Sequence, residues 1–255
     1  MISDVGNAAR IDSALNLLRL VRQKTDAIGV AVSFGKDSLA VLDLACRVFS
    51  RVEGYYLYRV AGLEIVDRWA DRVWRRHRVR VRMYPHFDLA RCYRNAVLQP
   101  HWRGLEKTPR LSMREIDEAF MAEARVDWIA YGWRRNDSLS RAVIMGQCAG
   151  YWPEARRVFP LRSWRRRDVL AYLDARDIPR PESFGRKEQG GLDFHPEALS
   201  ALSESDWAKW RRDFPFSEIQ LAAAPSVSQE PAAGSQPTRG PAHRSRSRGS
   251  GGRTR

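Results

Sequence analysis

Six residues near the N-terminus, Ser33-Phe34-Gly35-Lys36-Asp37-Ser38, have the types and order needed to hold a polyanion. The apolar run Ile28-Gly29-Val30-Ala31-Val32 leads into them, and apolar residues at helical spacing, from Leu39 to Val48, follow. A loop between a buried strand and a helix offers unpaired backbone amides and the positive end of the helix dipole to an anion. Gly35 lets the backbone come close to that anion. Lys36 adds a point charge, and the hydroxyls of Ser33 and Ser38 can donate to phosphate oxygens. Asp37 can cap the helix or hold a magnesium ion through water. The pattern is not a Walker A loop, which places Ser or Thr directly after its lysine; here Asp37 follows Lys36. It is not the dinucleotide G-x-G-x-x-G pattern either.

A second set is Gly132-Trp133-Arg134-Arg135-Asn136-Asp137-Ser138-Leu139-Ser140-Arg141. Guanidinium groups bind phosphate or sulfate bidentately and stabilise charge developing on phosphorus. Arg134 and Arg141 are therefore expected to act on the reacting anion, with Gly132, Arg135 and Ser140 beside the bound phosphates. A third basic run, Arg165-Arg166-Arg167, opens a helical pattern with charge of the wrong sign for that end, so it is read either as facing an anion or as a solvated face. His77, His86, His101 and His195 are scattered without metal-ligand spacing and read as structural. The three cysteines, Cys46, Cys92 and Cys148, form no C-x-x-C pair. No zinc site and no cysteine-ligated iron–sulfur cluster is expected from them. Cys46 and Cys148 sit among apolar neighbours and read as small core residues in a reducing compartment.

These sets need a scaffold, and the hydrophobic periodicity supplies one. Strands are expected at Ile28–Ser33, Tyr55–Tyr58, Val79–Tyr84, Asp127–Gly132 and Arg157–Pro160. Helices are expected at Ser38–Phe49, Leu63–His77, Met113–Ala124, Arg165–Arg176 (capped by Ser163) and Pro196–Phe214. Alternating strands and helices predict an α/β fold, a doubly wound parallel sheet covered on both faces. Ligands of such sheets lie beyond the carboxyl ends of the strands, where the strand order reverses. Residues 1–27 read as an N-terminal helix, 28–224 as the α/β domain that carries both anion-binding sets, with a helical C-terminal extension, and 225–255 as a disordered tail.

The chain of 255 residues carries a formal net charge of +14, which implies an anionic partner. Six arginines and one acid, Glu230, fall in residues 225–255, a Pro, Ser, Gly and Ala-rich stretch with too little apolar surface to fold. That tail reads as a solubilising segment, with nucleic-acid contact as the alternative. No run approaches the roughly 18 apolar residues of a membrane span, and the first residues have no signal-peptide pattern. A cytoplasmic location without membrane contact is expected.

The phosphate loop resembles the PP-loop, S-x-G-x-D-S, of the N-type ATP pyrophosphatase fold (adenine nucleotide alpha-hydrolase-like). Three further segments are similar to the branch that contains phosphoadenosine phosphosulfate (PAPS) reductase and the small subunit of ATP sulfurylase. They are Gly62-Leu63-Glu64, the Gly132–Arg141 segment, and Phe159-Pro160-Leu161-Arg162-Ser163-Trp164 through Asp168-Val169, Tyr172-Leu173 and Ile178-Pro179. The resemblance implies an adenosine nucleotide ligand, ATP with Mg²⁺, and chemistry at the α-phosphate that releases pyrophosphate. The acceptor would be an anion, sulfate or a nucleic acid. Two departures matter. Val60-Ala61 stands where the family has Asp-Thr, and no cysteine follows Cys148, where PAPS reductases carry a nucleophilic one. The alternatives are a PAPS-binding or adenosine phosphosulfate-binding protein that uses an external thiol, and a non-catalytic nucleic-acid-binding module. Gly185–Gly191 reads as a loop or a lid.

Overall fold

A computed structural model describes residues 2–179 and 202–222. Helix α1 (Ile2–Arg22) precedes strand β1 (Ala27–Ala31) and helix α2 (Lys36–Cys46). Strand β2 (Arg51–Tyr58), helix α3 (Glu64–His77), strand β3 (Val81–Pro85) and the short helix α4 (Leu89–Arg94) follow. Then come helix α5 (Met113–Ala124), strand β4 (Ile129–Ala130), helix α6 (Leu139–Cys148), strands β5 (Tyr151–Trp152) and β6 (Arg157–Val158), and helix α7 (Arg166–Ala175). Helices α8 (Glu204–Asp213) and α9 (Ser217–Ala222) complete the described chain.

The six strands form one sheet in the order β3-β2-β1-β4-β6-β5. The first four pairings are parallel; β5 alone runs against β6. Val30 of β1 lies opposite Gly54 of β2 on one side and Ala130 of β4 on the other. The chain thus leaves β1 for β2 and β3, then crosses back to β4. The order reverses between β1 and β4, and the loops after those two strands meet at one edge.

Neighbouring strand residues point to opposite faces, and the core divides accordingly. Val30, Tyr56 and Ala130 join Leu18, Leu42, Val66, Leu173 and Trp210 from the helices of one face. Tyr55, Ile129 and Tyr131 join Phe120 of α5 and Met145 of α6 on the other. A sheet buried on both faces explains why its strands read as near-continuous apolar runs. The doubly wound α/β class read from periodicity is the class observed.

Several elements differ from the expected ones. The run Asp127–Gly132 yields a strand of only two residues, because the chain turns away after Ala130. The antiparallel edge strand β5 carried no period of its own. Ser163 does not cap α7: Arg165 is the N-cap residue, and its backbone N–H donates to Asp168 at 2.7 Å. The described part of the last expected helix begins at Glu204, with the Ser203 hydroxyl accepting from Asp206 N–H at 3.2 Å. Gly185–Gly191, His195 and the 225–255 tail lie outside the described residues.

Polar contacts fasten the outer helices. Trp164 donates its indole N–H to the Arg10 carbonyl at 3.2 Å, and Arg10 Nε lies 3.2 Å from the Asp168 carboxylate. The segment Phe159–Val169 therefore anchors α1. Asp206, fully buried on α8, accepts from the backbone N–H groups of Glu64 and Ile65 at 2.6 and 3.0 Å. A carboxylate at the first turn of α3 satisfies two orphan donors and meets the positive helix end. Gly62-Leu63-Glu64 is thus held by the C-terminal extension, with Lys209 Nζ donating to the Gly62 carbonyl at 2.7 Å.

Candidate functional site

The phosphate loop runs from the end of β1 into the first turn of α2. Its one left-handed residue is Phe34, at φ 57°, while Gly35 has an ordinary φ of −76° as the N-cap of α2. The loop holds this turn because the Phe34 side chain is buried, stacked on Tyr56 at 5.1 Å between ring centroids. A non-glycine residue is costly there and persists only when its surroundings determine it. Ser38 ties the turn internally. Its hydroxyl donates to the Gly35 carbonyl at 2.9 Å and accepts from Ser33 N–H at 3.1 Å and the Ser33 hydroxyl at 3.3 Å.

Gly132, at the end of β4, explains how the second segment reaches this loop. A Cβ at Gly132 would lie 2.9 Å from the Asp37 carbonyl carbon and 3.0 Å from the Ser38 nitrogen. Only a residue without a side chain lets the two backbones pass so closely. That approach delivers Arg134 to the first turn of α2, with its Nε 3.2 Å from Asp37 Oδ1. The pair meets as an ion pair rather than as an aligned hydrogen bond. Lys36 Nζ donates to Asp37 Oδ2 from the other side at 3.1 Å.

A charge ladder continues outward. Asp137 accepts from Arg134 Nη2 at 2.8 Å, from the Arg134 backbone N–H at 2.9 Å and from Arg141 Nη1 at 2.8 Å. Arg141 also lies over the Trp133 ring, 5.0 Å from its centroid, a cation–π arrangement that fixes the guanidinium from a second direction. Side-chain exposure is 12% for Arg134 and 14% for Asp137, so the ladder works in a partly dehydrated setting. Burial raises the Asp37 pKa, against the lowering effect of Lys36 and Arg134. Asp37 therefore holds a proton at higher pH than an ordinary aspartate.

These groups line a cleft of about 810 Å³ at the carboxyl edge of the sheet, within the size range of small-molecule sites. Of the residues singled out from sequence, Ser33, Lys36, Asp37, Ser38, Gly132, Arg134, Ser140 and Arg141 line it together. Phe34 and Gly35 do not: the Phe34 ring is core, and Gly35 is the N-cap residue of α2. Arg135 is exposed outside the cleft, and its backbone N–H donates to the Arg162 carbonyl at 3.0 Å. Arg165, Arg166 and Arg167 are exposed and do not line the cleft.

Asp137, Trp133, Tyr56, Arg59, His86 and Phe87 are cleft residues that sequence reading passed over as site residues. Asp137 carried a signal, since it stands three residues after Arg134 and four before Arg141, within helical reach of both. Arg59 and His86 carried none, because only the sheet brings the ends of β2 and β3 to the cleft. His86, which has no metal-ligand spacing in the sequence, stacks on Phe87 at 4.3 Å and lines the cleft. Beneath the cleft floor Asp117 accepts from the hydroxyls of Tyr55 at 2.8 Å and Tyr131 at 2.6 Å, and from Arg157 Nε at 3.0 Å. Burial raises both tyrosines well above the ordinary phenol range, so they act as neutral donors.

The cationic lining, Lys36, Arg59, Arg134 and Arg141 at the start of α2 and around it, suits an anion. Only Asp37 among the expected residues offers a magnesium ligand, and its carboxylate already engages Lys36 and Arg134. No cluster of three or more His, Cys, Asp or Glu with metal-binding geometry occurs among the described residues. No helix among them is long and apolar enough to cross a membrane.

The chain is similar in structure to PAPS reductase from Candida auris in its phosphate complex (14% identity, TM-score 0.44, covering 66% of this chain and 81% of that one). It is similar to the U34-tRNA thiolase NcsA from Methanococcus maripaludis with its [4Fe-4S] cluster (15% identity, TM-score 0.44, 88% of this chain and 82% of that one). A third likeness is to the NH3-dependent NAD synthetase of Campylobacter jejuni in complex with nitrate (11% identity, TM-score 0.47, 88% and 99%). No curated protein sequence matches the chain. The profile of the phosphoadenosine phosphosulfate reductase domain matches residues 27–185, more than half of the chain and both cleft segments, and the protein belongs to that family.

Proposed function

We propose that the cleft binds ATP and directs an acceptor to its α-phosphorus. The observation that supports this reading is the placement of Arg134 between Asp37 and Asp137 at the point where strand order reverses. The start of α2, with Ser33, Lys36 and Ser38, binds the β- and γ-phosphates. Arg134 and Arg141 are assigned to the α-phosphate. An acceptor oxygen attacks the α-phosphorus, the bond to the bridging α–β oxygen breaks, and pyrophosphate leaves with the electron pair. The equatorial oxygens gain charge during that step, and preorganised guanidinium groups stabilise it without reorganisation. Magnesium supplies charge neutralisation on the leaving phosphates when bound, and Asp37 is the residue proposed to reach its water shell. A protein carrying Lys36→Ala and Asp37→Ala should lose pyrophosphate release from ATP. Unchanged release would overturn the reading.

Family membership supports a second reading, a cleft for PAPS or adenosine phosphosulfate served by a thiol from another molecule. The cysteines observed here do not supply one. Burial pushes the Cys46 thiol up to about 12, Cys92 is buried, and neither they nor Cys148 line the cleft. Calorimetry separates the two, because a PAPS site prefers adenosine 3′,5′-bisphosphate to ATP.

A further inference from the structure

The stretch between β3 and α5 starts and ends at the cleft. His86 and Phe87 line it at one end and Met113 at the other. Between them the chain forms α4 and two single turns, His101–Arg103 and Leu105–Lys107. Trp102 is 83% exposed on the first of these turns, the most exposed large apolar side chain among the described residues. A tryptophan so placed costs solubility and contributes nothing to the core.

Its surroundings are cationic. The stretch 86–113 holds Arg91, Arg94, Arg103, Lys107 and Arg110 against two carboxylates, Asp88 and Glu106. Arg91, Arg94, Lys107 and Arg110 are all exposed. Asp88 is bound by Arg91 at 2.6 Å. Arg94 donates to the Thr108 carbonyl at 3.0 Å, and the Thr108 hydroxyl donates to the Leu105 carbonyl at 2.7 Å. The last two contacts tie α4 to the turn after Trp102, and a neutral carbonyl leaves the Arg94 charge uncancelled, whereas that of Arg91 is paired with Asp88. An exposed indole on a braced basic segment combines a stacking face with a track for phosphates, the pairing used to bind single strands without sequence preference.

We infer that this segment is a docking surface for single-stranded nucleic acid, with a base stacked on Trp102 and the backbone carried along Arg94, Lys107 and Arg110. That the docked strand is also the acceptor rests on the adenylyl-transfer reading above; the docking itself does not.

The test uses the full chain and a fluorescein-labelled oligothymidylate of about twelve nucleotides, read by anisotropy at low and at raised salt. The tail arginines contribute a component that falls steeply with salt. Stacking on Trp102 supplies one that persists. Trp102→Ala should weaken binding about tenfold at both salts, Trp102→Phe should stay within about threefold, and Lys107→Gln with Arg110→Gln should flatten the salt slope. ATP affinity by calorimetry should be unchanged in all three variants, which also shows that they fold. Equal binding by the parent and Trp102→Ala would overturn the inference, as would equal affinity for a duplex of the same length. A parent protein that binds the oligonucleotide but releases no pyrophosphate from ATP would instead count against the ATP reading alone.

Discussion

The segments Gly132–Arg141 and Phe159–Val169 look alike on paper: each is arginine-rich, each follows a short strand of the sheet, and each opens a helix. They do opposite work. In the first, Arg134 and Arg141 are turned inward and gripped by Asp37 and Asp137 within the cleft. In the second, Arg165, Arg166 and Arg167 face solvent, and the residues that matter are Trp164 and Asp168, which hold α1. The difference teaches that positive charge alone does not mark an anion site. Arginines that a partly buried carboxylate holds facing an open cleft are the better candidates, because an arginine held in place loses little rotamer entropy when an anion arrives.

The largest effect that sharpens this comparison is on stability. Trp164 is 1% exposed, packs edge-on against Tyr172 and ties α1 to the sheet. Trp164→Ala should cost about 3–5 kcal/mol in a denaturant titration, with nucleotide affinity preserved in the fraction that stays folded. A loss of affinity larger than the loss of stability would place the second segment in the site after all.

Next in size is binding. Arg134→Ala should weaken ATP binding by roughly ten- to a hundredfold, the range for hydrogen bonds to charged groups at about 1.5–3 kcal/mol. The double variant Arg166→Ala, Arg167→Ala should change it by less than about twofold, as screened surface charges do. Similar losses in both, measured by calorimetry, would break the comparison.

The smallest effect is a pH dependence. Burial raises the Asp37 pKa, so the cost of its charge is present at neutral pH and relieved as pH falls through that raised value. Asp37→Asn should therefore bind sulfate, whose charge does not change in this range, about threefold more tightly than the parent at neutral pH. The two affinities should converge on acidification. A gap that stays constant with pH would show that Asp37 does not titrate within the site.

Sequence alone determined the alternation of strands and helices, and with it the doubly wound class, because burial on both faces forces continuous apolar runs that the eye can find. It also determined the part of the cleft lining that is local, Ser33, Lys36, Asp37 and Ser38, since one strand end, one turn and one helix start lie within the span from Ser33 to Ser38. Tertiary structure decided what long-range contacts govern. Whether Phe34 meets the ligand or the core depends on Tyr56, a residue of the neighbouring strand. That Arg141 and not Arg135 enters the cleft depends on contacts outside the motif's order: the Arg135 backbone N–H is tied to the Arg162 carbonyl, while Arg141 is held by Asp137. The use of Gly132 as the gap through which Arg134 reaches Asp37 depends on a backbone approach between residues far apart in the chain. Periodicity reports which face of an element is buried; it holds no record of the element packed against it, and here that packing sets which arginines line the cleft.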